Sequence, residues 1–452
     1  MKMIPNELRE IANKIAQVGG KVFLVGGSVR DSILGLEPKD FDCECFGIDK
    51  DTLIETLKSF GKVDCVGSSF GVIKLTTDQN DFDFSIPRRE NKIGKGHKGF
   101  QVEFDETITP KEAASRRDFT FNALMQDIET GQVLDFFGGI QDLTNKTIKA
   151  TSKHFKEDPL RVLRGFQFVA RFCLSLADFE TLLMCNSLKS EFDTLAKERI
   201  WIEFEKWASK GTKPSFGIDF LIKTDWVSLF PELAQLIGLE QSSKWHPEGD
   251  VMEHTRLVVD ECAKIANREN LNKEQRIILI LAGLCHDFGK IITTEFVNGK
   301  ITSKGHDKAG TPFVKSFLNS IDAPKWVIEQ VVPLCENHMF RAQPTHRNIR
   351  RLANRISPSN IQMLVWLMEA DSAHKPHPTD ESKKVLEIAQ ELNCESQKVE
   401  DILMGRHLIE LGLKPGVEFG VILNEAREAQ LDGEFSDLVS GMEWLRERVK
   451  RF

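Results

Sequence analysis

The sequence predicts an α+β head followed by a long all-helical remainder, and three observations carry that reading. The stretch at 22–42, VFLVGGSVRDSILGLEPKDFD, opens with an apolar run that reads as a buried strand and then breaks at Gly26-Gly27. Residues 81–86, DFDFSI, alternate cleanly, with Phe82, Phe84 and Ile86 on one face and Asp81, Asp83 and Ser85 on the other. From about residue 151 onward the segments read as helices. At 452 residues the chain exceeds what one hydrophobic core covers, so two to four domains are expected.

In order, residues 5–17 read as a helix packing on the first strand. Gly26-Gly27 lets the backbone approach a ligand, and a short helix over 28–34, ended by Gly35 and Pro38, points free amides at that turn as an anion site. Asp40 and Asp42 lie two apart, so on a strand both carboxylates share a face while Phe41 points inward. Two such carboxylates repel, and a hard divalent ion with oxygen ligands, Mg²⁺ above all, suits them. A helix over 51–60 and strands over 62–66, 71–76 and 81–86 follow, the last bringing Asp83 toward Asp40 and Asp42. Residues 91–99 read as a polar, glycine-rich basic loop.

Composition narrows the class. Hydrophobic content of 41% and charged content of 28% are ordinary for a soluble globular protein. No apolar run approaches the ~20 residues that span a bilayer, and the amphipathic, acid-bearing N-terminus is not a secretory signal. Nine scattered cysteines without a Cys-x-x-Cys fit reduced thiols, so a cytoplasmic protein is expected. A net charge of −8 argues against indiscriminate nucleic-acid binding but leaves room for basic patches. Such patches stand at Arg88, Arg89, Lys92, Lys95 and Lys98, at 146–171, and at 341–355. Tyrosine is absent beside 31 phenylalanines, so no phenol takes part in catalysis.

Strand, Gly-Gly, helix and Asp-x-Asp in this order resemble the nucleotidyltransferase superfamily that includes DNA polymerase beta. GG-x-VRD followed by D-x-D is similar to its class II branch, the bacterial-type tRNA CCA-adding enzymes and poly(A) polymerases. The segment Arg116-Arg117-Asp118-Phe119-Thr120-Phe121-Asn122-Ala123 matches that family's RRD-F-T-x-N-A signature, and Glu157-Asp158-Pro159-Leu160-Arg161-Val162-Leu163-Arg164 matches another. The resemblance implies a polymerase-beta-like head with a small mixed sheet, then an all-α neck. It implies that Asp40 and Asp42 bind metal, with Asp83 and Arg117 catalytic beside them. Gly26, Gly27, Arg30, Arg117, Asp118, Asn122, Asp158, Arg161 and Arg164 would bind nucleotide.

Asp118 and Asn122, four apart, are expected to face sugar hydroxyls, or Asp118 to cap a helix start. Asp158 and Arg161, three apart, would share a helix face and read the base. A carboxylate accepts from the exocyclic amine of cytosine or adenine while a guanidinium donates to the ring nitrogen. Pro159 at a first helical position also makes Asp158 a helix N-cap. Where the family has threonine after Asp-x-Asp, this chain has Cys43-Glu44-Cys45-Phe46.

A third unit begins near Lys244. A helix over 251–266 bears His254, and another over 276–292 ends in Cys285-His286-Asp287-Phe288-Gly289-Lys290. With His306, His338 and Asp371, this order resembles the HD phosphohydrolase superfamily. The resemblance implies that His254, His286, Asp287 and Asp371 hold Mn²⁺, Ni²⁺, Co²⁺, Fe²⁺ or Mg²⁺, with His306 and His338 near a substrate phosphate. The run 405–416 in the charged helical tail resembles the family's RNA-binding end. The expected domains are 1–150 (catalytic head), 151–240 (neck), 241–380 (HD unit) and 381–452 (tail). The expected function is template-independent addition of C, C and A to a tRNA 3′ end from CTP and ATP, with an HD unit acting on a 2′-phosphate or 2′,3′-cyclic phosphate. Poly(A) synthesis, CC-only or A-only addition, a catalytically dead RNA-binding regulator, and HD hydrolysis as the main activity are the alternatives. A monomer or homodimer without membrane contact is expected.

Overall fold

The structure, a computed structural model, describes residues 4–37, 40–66, 71–92, 100–105, 107–340, 342–375 and 381–450. Residues 93–99 of the expected basic loop, with Lys95 and Lys98, lie outside the described residues, as do Pro38 and Arg341. The chain divides into two compact units, Met1–Val227 and Ser228–Phe452, so residues 228–240 of the expected neck fall in the second.

In the first unit, α1 (Asn6–Gln17) buries Leu8, Ile11, Ala12 and Ile15, an i, i+3, i+4, i+7 stripe, and packs on β1 (Lys21–Val25). Then come α2 (Gly27–Ile33), β2 (Phe41–Phe46) and α3 (Lys50–Leu57), whose first amides are capped by the Asp49 carboxylate. Strands β3 (Lys62–Val66), β4 (Val72–Thr76) and β5 (Asp81–Ser85) follow at the expected places. A separate hairpin joins β6 (Arg88–Lys92) to β7 (Phe100–Phe104). With β8 (Met125–Asp127) and β9 (Val133–Leu134), the sheet runs β3-β4-β5-β2-β1-β8-β9. Only the β2–β5 pair is parallel, so the sheet is mixed, and its register sets Asp42 directly beside Asp83.

The RRDFTFN segment departs from the helical reading that places Asp118 and Asn122 one turn apart. Helix α4 (Pro110–Ser115), opened by a Thr109/Glu112 capping box, stops before it, and only a 3₁₀ turn spans Thr120–Asn122. Phe119 is extended, with φ −124° and ψ 151°, because it and Phe121 drive their stacked rings, 5.5 Å apart, into the core. After α5 (Gly139–Thr144), β10 (Thr147–Ile148) pairs in parallel with β11 (Leu176–Ala177), and α6 (Leu160–Phe172) packs Phe168 and Phe172 against those rings. Three more helices, α7 (Phe179–Ser187), α8 (Lys197–Lys210) and α9 (Pro214–Lys223), complete this unit.

The second unit is helical apart from one hairpin. It contains α10 (Pro231–Ala234), α11 (Val251–Arg268), α12 (Lys273–Cys285) and α13 (Lys290–Thr293). After the β12 (Glu295–Val297)/β13 (Lys300–Thr302) hairpin come α14 (His306–Ala309), α15 (Thr311–Ser320), α16 (Lys325–Asn337), α17 (His346–Arg355) and α18 (Ile361–Ser372). The tail is α19 (Glu381–Glu391), α20 (Gly405–Glu410), α21 (Val417–Asp432) and α22 (Leu438–Val449).

Helix α12 is buried at every residue from Ile277 to Cys285, which makes it the central helix of this unit. The expectation that it continues through the HDFGK run is corrected: it ends at Cys285, with His286 at its cap. The reason is steric as well as local. The Gly289 backbone presses against α14, and a Cβ there would overlap the His306 carbonyl and come within 2.6 Å of the Gly310 nitrogen.

Candidate functional site

In the first unit a cleft of about 590 Å³ opens beside the Gly26-Gly27 turn. Gly26 has φ +66°, and a Cβ there would meet an Arg117 guanidinium nitrogen at 2.8 Å, so backbone sterics and the arginine both require glycine. Arg117 is held by Glu44 on β2 at 3.2 Å. Asp42 keeps one side open to solvent, yet the protein packed around it desolvates it. That desolvation, with repulsion from Asp83 and Asp40, holds its carboxyl above the usual range against the pull of Arg117. Asp40 and Asp83 are thus near enough to repel the Asp42 carboxylate, while among the described residues the groups of three ligand atoms gathered within 4.8 Å lie in the second unit.

Asp118 is 6% exposed and serves as a hub. It accepts from the Phe119 amide at 2.8 Å, the Asn122 amide at 2.9 Å and Arg164 Nε at 2.6 Å. Burial alone would raise its pKa, but Arg164, the Asn122 hydrogen bond and Arg161 more than offset this and lower it. Asn122 Oδ1 in turn accepts from Arg30, whose guanidinium lies over the Phe168 and Phe172 rings, 5.4 and 4.6 Å from their centroids. Desolvation lowers the pKa of Arg30, and Asp31 partly restores it.

Asp158 and Arg161 both line the cleft but do not pair with each other. Asp158 accepts from the Leu160 amide at 3.0 Å and from Arg199 at 2.8 Å, so it satisfies the helix start from one position before the cap, which is Pro159. Arg161 donates to the carbonyls of His154 at 2.6 Å and Arg116 at 2.7 Å. Sequence reasoning missed Glu44, Arg171, Arg199, Lys206 and Lys210, the last four lining the cleft. The spacing of Arg199, Lys206 and Lys210 along α8 was visible, but nothing in it told which way that face points.

In the second unit, His254, His286, Asp287, His306, His338 and Asp371 come together from α11, the α12 end, the α14 start, the α16 end and α18. The Nδ1 atoms of His286, His306 and His338 each face a backbone carbonyl, of Gly283, Ser303 and Cys335, at 2.7–2.8 Å. A carbonyl only accepts, so each Nδ1 carries a proton, while the Nε2 atoms face inward, those of His306 and His338 3.2 Å apart and that of His306 3.1 Å from Asp287. His254 differs, with Glu248 at 2.8 Å from Nδ1 and Asp371 at 3.0 Å from Nε2. Burial alone would lower its pKa, but these two carboxylates raise it.

Burial, then the neighbouring His286 and His306, push His338 down to about 3, so its imidazole is neutral at pH 7. His286 Nε2 is buried with no hydrogen-bond partner among the described residues. Ligand atoms of His254, His286 and Asp371 lie within 4.8 Å of one another, as do those of His286, Asp287 and His338. Imidazole nitrogens and carboxylate oxygens so arranged fit a divalent metal. The geometry groups His338 with two expected ligands, so it does not separate ligands from substrate-side imidazoles as the sequence reading did. That reading also missed His246 and Glu248. Lys290 and Lys375, at 2.7 Å from Asp287 and Asp371, were legible only as i+3 and i+4 helical neighbours.

Comparison with known proteins gives each of these two regions a family. Residues 22–149 match the Poly A polymerase head domain, and residues 251–402 match the HD domain. The multifunctional CCA protein of Pasteurella multocida is 32% identical over 357 residues, 76% of this chain and 82% of that protein. The chain belongs to the multifunctional CCA protein family. A second member, from Haemophilus influenzae, is 36% identical over 317 residues, 69% of this chain and 73% of that protein. Among solved structures, the Bacillus stearothermophilus CCA-adding enzyme in complex with CTP aligns with TM-score 0.65 at 19% identity, covering 99% of each chain. The Thermotoga maritima CCA-adding enzyme complexed with tRNA aligns with TM-score 0.56 at 17% identity, covering 99% of this chain and 97% of that one. These likenesses concern the fold. As a member of the multifunctional CCA protein family, the chain is a nucleotidyltransferase-type enzyme with an HD domain, and no helix among the described residues is long and apolar enough to cross a membrane.

The Asp118 hub yields a prediction about pH. Its pKa is lowered by folding, so its contribution is full above the ordinary carboxylate value near ~4 and is lost as pH falls through the folded value. Asp118→Asn is expected to cost about 1.5–3 kcal/mol at pH 7, the range for charge-assisted bonds. The difference from wild type should shrink as the pH falls below ~4 in denaturant titrations. A difference that does not vary with pH would show that Asp118 acts through shape and not through charge.

Proposed function

We propose that the head adds C, C and A, without a template, to the 3′ end of tRNA from CTP and ATP, releasing pyrophosphate. The observation that carries this reading is the juxtaposition of Asp42 and Asp83, with Asp40 one residue before the strand, beside a cleft lined by eight arginines and lysines against four aspartates. Asp40, Asp42 and Asp83 would hold Mg²⁺, which supplies Lewis-acid activation of the 3′-hydroxyl and charge neutralisation at the triphosphate. Arg117 and Arg30, with the Gly27 amide, bind and orient the phosphates, since planar guanidinium groups grip phosphate oxygens. Positioning and charge neutralisation carry most of the rate, as phosphoryl chemistry demands.

Asp42→Asn tests the metal assignment. It removes a charge without changing shape, and incorporation of CTP onto tRNA lacking CCA should fall by orders of magnitude. Because the raised pKa of Asp42 marks a penalty on its charged form, the melting temperature in chelator should hold or rise. Near-normal incorporation would sink the assignment, and a marked loss of stability would make Asp42 a structural residue.

Asp158 and Arg161 are assigned to base selection. Their present partners use two of the four carboxylate lone-pair positions and two of the five guanidinium N–H groups, so both retain capacity for a base. Asp158→Ala should erode the preference for CTP and ATP over UTP and GTP by roughly ten- to hundredfold, the scale of ~1–3 kcal/mol per discriminating contact. A mutant that melts earlier but keeps wild-type preference assigns Asp158 to the helix start alone.

The HD unit is assigned metal-dependent hydrolysis of a phosphate ester, a 2′-phosphate or a 2′,3′-cyclic phosphate. The support is the convergence of fixed Nε2 atoms on Asp287 and Asp371. His254, His286, Asp287 and Asp371 would hold a transition metal (Mn²⁺, Ni²⁺, Co²⁺ or Fe²⁺) or Mg²⁺, which lowers the pKa of a bound water. Water adds its oxygen to phosphorus, and the sugar oxygen leaves with the proton. Asp287→Asn, chosen over alanine so that the side chain keeps its shape in the buried cluster, should abolish phosphate release with each metal while leaving nucleotide addition intact. Retained release in that variant removes Asp287 from the reaction.

A further inference from the structure

The pocket at the imidazole cluster is larger than a phosphate needs, at about 600 Å³, and both polar and apolar groups line it. Its lining includes Asp287, Asp371, His306 and His338, with Lys290 and Lys375 against the two carboxylates. The rest of the wall includes Trp245, Met339 and Met368. Trp245 is 49% exposed, although an indole of that size is ordinarily covered. It is also firmly carried. The next residue, His246, bonds Glu248 at 3.0 Å, and Glu248 bonds His254 of the cluster at 2.8 Å, so the segment bearing the indole is tied directly to the reaction centre. Lys244 Nζ lies 5.1 Å from the centre of the Trp245 ring.

We propose that Trp245 is the platform on which the base of the HD unit's substrate stacks, making that unit selective for base-bearing phosphate esters over phosphates of sugars and polyols. The proposal rests on the phosphohydrolase reading of this site and adds what that reading leaves open, the group attached to the phosphate. Every nucleobase has a π-face, so an indole accepts all four. Stacking on aromatic side chains is correspondingly sequence-tolerant. Methionine side chains on the wall are polarizable and shape themselves to whichever base is present. The lysines and imidazoles then take the phosphoryl group while the base lies on the indole. Selection among bases is therefore weak, and selection for the presence of a base is strong.

The test uses the full chain with adenosine 2′-phosphate and glycerol 2-phosphate as paired substrates, the second having the same ester chemistry and no base. Trp245→Ala should lower kcat/KM for adenosine 2′-phosphate about ten- to hundredfold, mainly through KM, and leave glycerol 2-phosphate unchanged. Trp245→Phe should recover most of the loss, since a ring remains. Uridine 2′-phosphate should follow adenosine 2′-phosphate. Equal losses on both substrates, or no loss on either, overturn the proposal. Should the wild-type chain hydrolyse neither substrate with any metal, the hydrolase reading fails by itself, and calorimetric binding of adenosine 2′-phosphate then decides the platform. Weaker binding by Trp245→Ala than by wild type sustains it, and equal binding removes it.

Discussion

The first unit depends on burying one carboxylate safely. Asp118 lies out of water between the sheet and α6, and an unpaired charge there would cost several kcal/mol. Its three hydrogen bonds meet that cost, and each also fixes something the cleft needs. Arg164 is held on the cleft wall, Asn122 is turned so that it presents its oxygen to Arg30, and the Phe119 amide locks the extended backbone between two aromatic rings. The aromatic seam of Phe119, Phe121, Phe155, Phe168 and Phe172 adds contacts of about 0.5–1.5 kcal/mol each beyond burial. The rings pack the RRDFTFN turn against α6. The carboxylate supplies the register, because a ring can slide by an ångström at little cost and a 2.6 Å ionic bond cannot.

The HD cluster solves the same problem by fixing protons. Three imidazoles spend Nδ1 on backbone carbonyls: His286 and His338 on Gly283 and Cys335 in the last turns of α12 and α16, where carbonyls are left over from the helical ladder, and His306 on Ser303 in the loop before α14. Ending α12 at Cys285 is therefore part of the site: the early stop places His286 where Nδ1 reaches Gly283 and frees Nε2 to face the carboxylates. Continuing the helix through the HDFGK run, as periodicity suggests, would carry the following residues into the space where Gly289 meets the backbone of α14.

What the sequence disclosed was what short spacing encodes. Two-residue spacing put Asp40 and Asp42 on one face, and clean alternation marked β5 and so Asp83. Buried helices announced α11 and α12. What it hid was pairing across distance. Glu44 holding Arg117, Arg199 holding Asp158, and Glu248 holding His254 join residues whose separation carries no periodic signal. The RRDFTFN turn was misread because four-residue spacing suits a helix equally well, and only the demand of Phe119 and Phe121 for the core decides otherwise. A partial signal for Glu248 existed in Trp245-His246-Pro247-Glu248, a run of chemistry-bearing residues just before a capped helix, which gains meaning once His254 is seen to face it.

Charge distribution ties the two chemistries to two kinds of ligand. A chain with net charge −8 repels a polyanion at long range, yet salt screens that repulsion beyond about 10 Å, so the local lining governs binding. The head cleft carries eight cationic side chains against four carboxylates, an excess close to the charge of a nucleoside triphosphate. The HD pocket is lined by three lysines and three aspartates, so its side chains bring no cationic excess of their own, and the divalent ion assigned there would supply the charge that meets a phosphate. Strong cationic excess lets the head take its ligand by phosphate charge and leave base choice to a few directed groups. Charge meets the phosphate whatever group carries it, so any choice of that group falls to contacts such as the half-exposed Trp245 indole on the same lining.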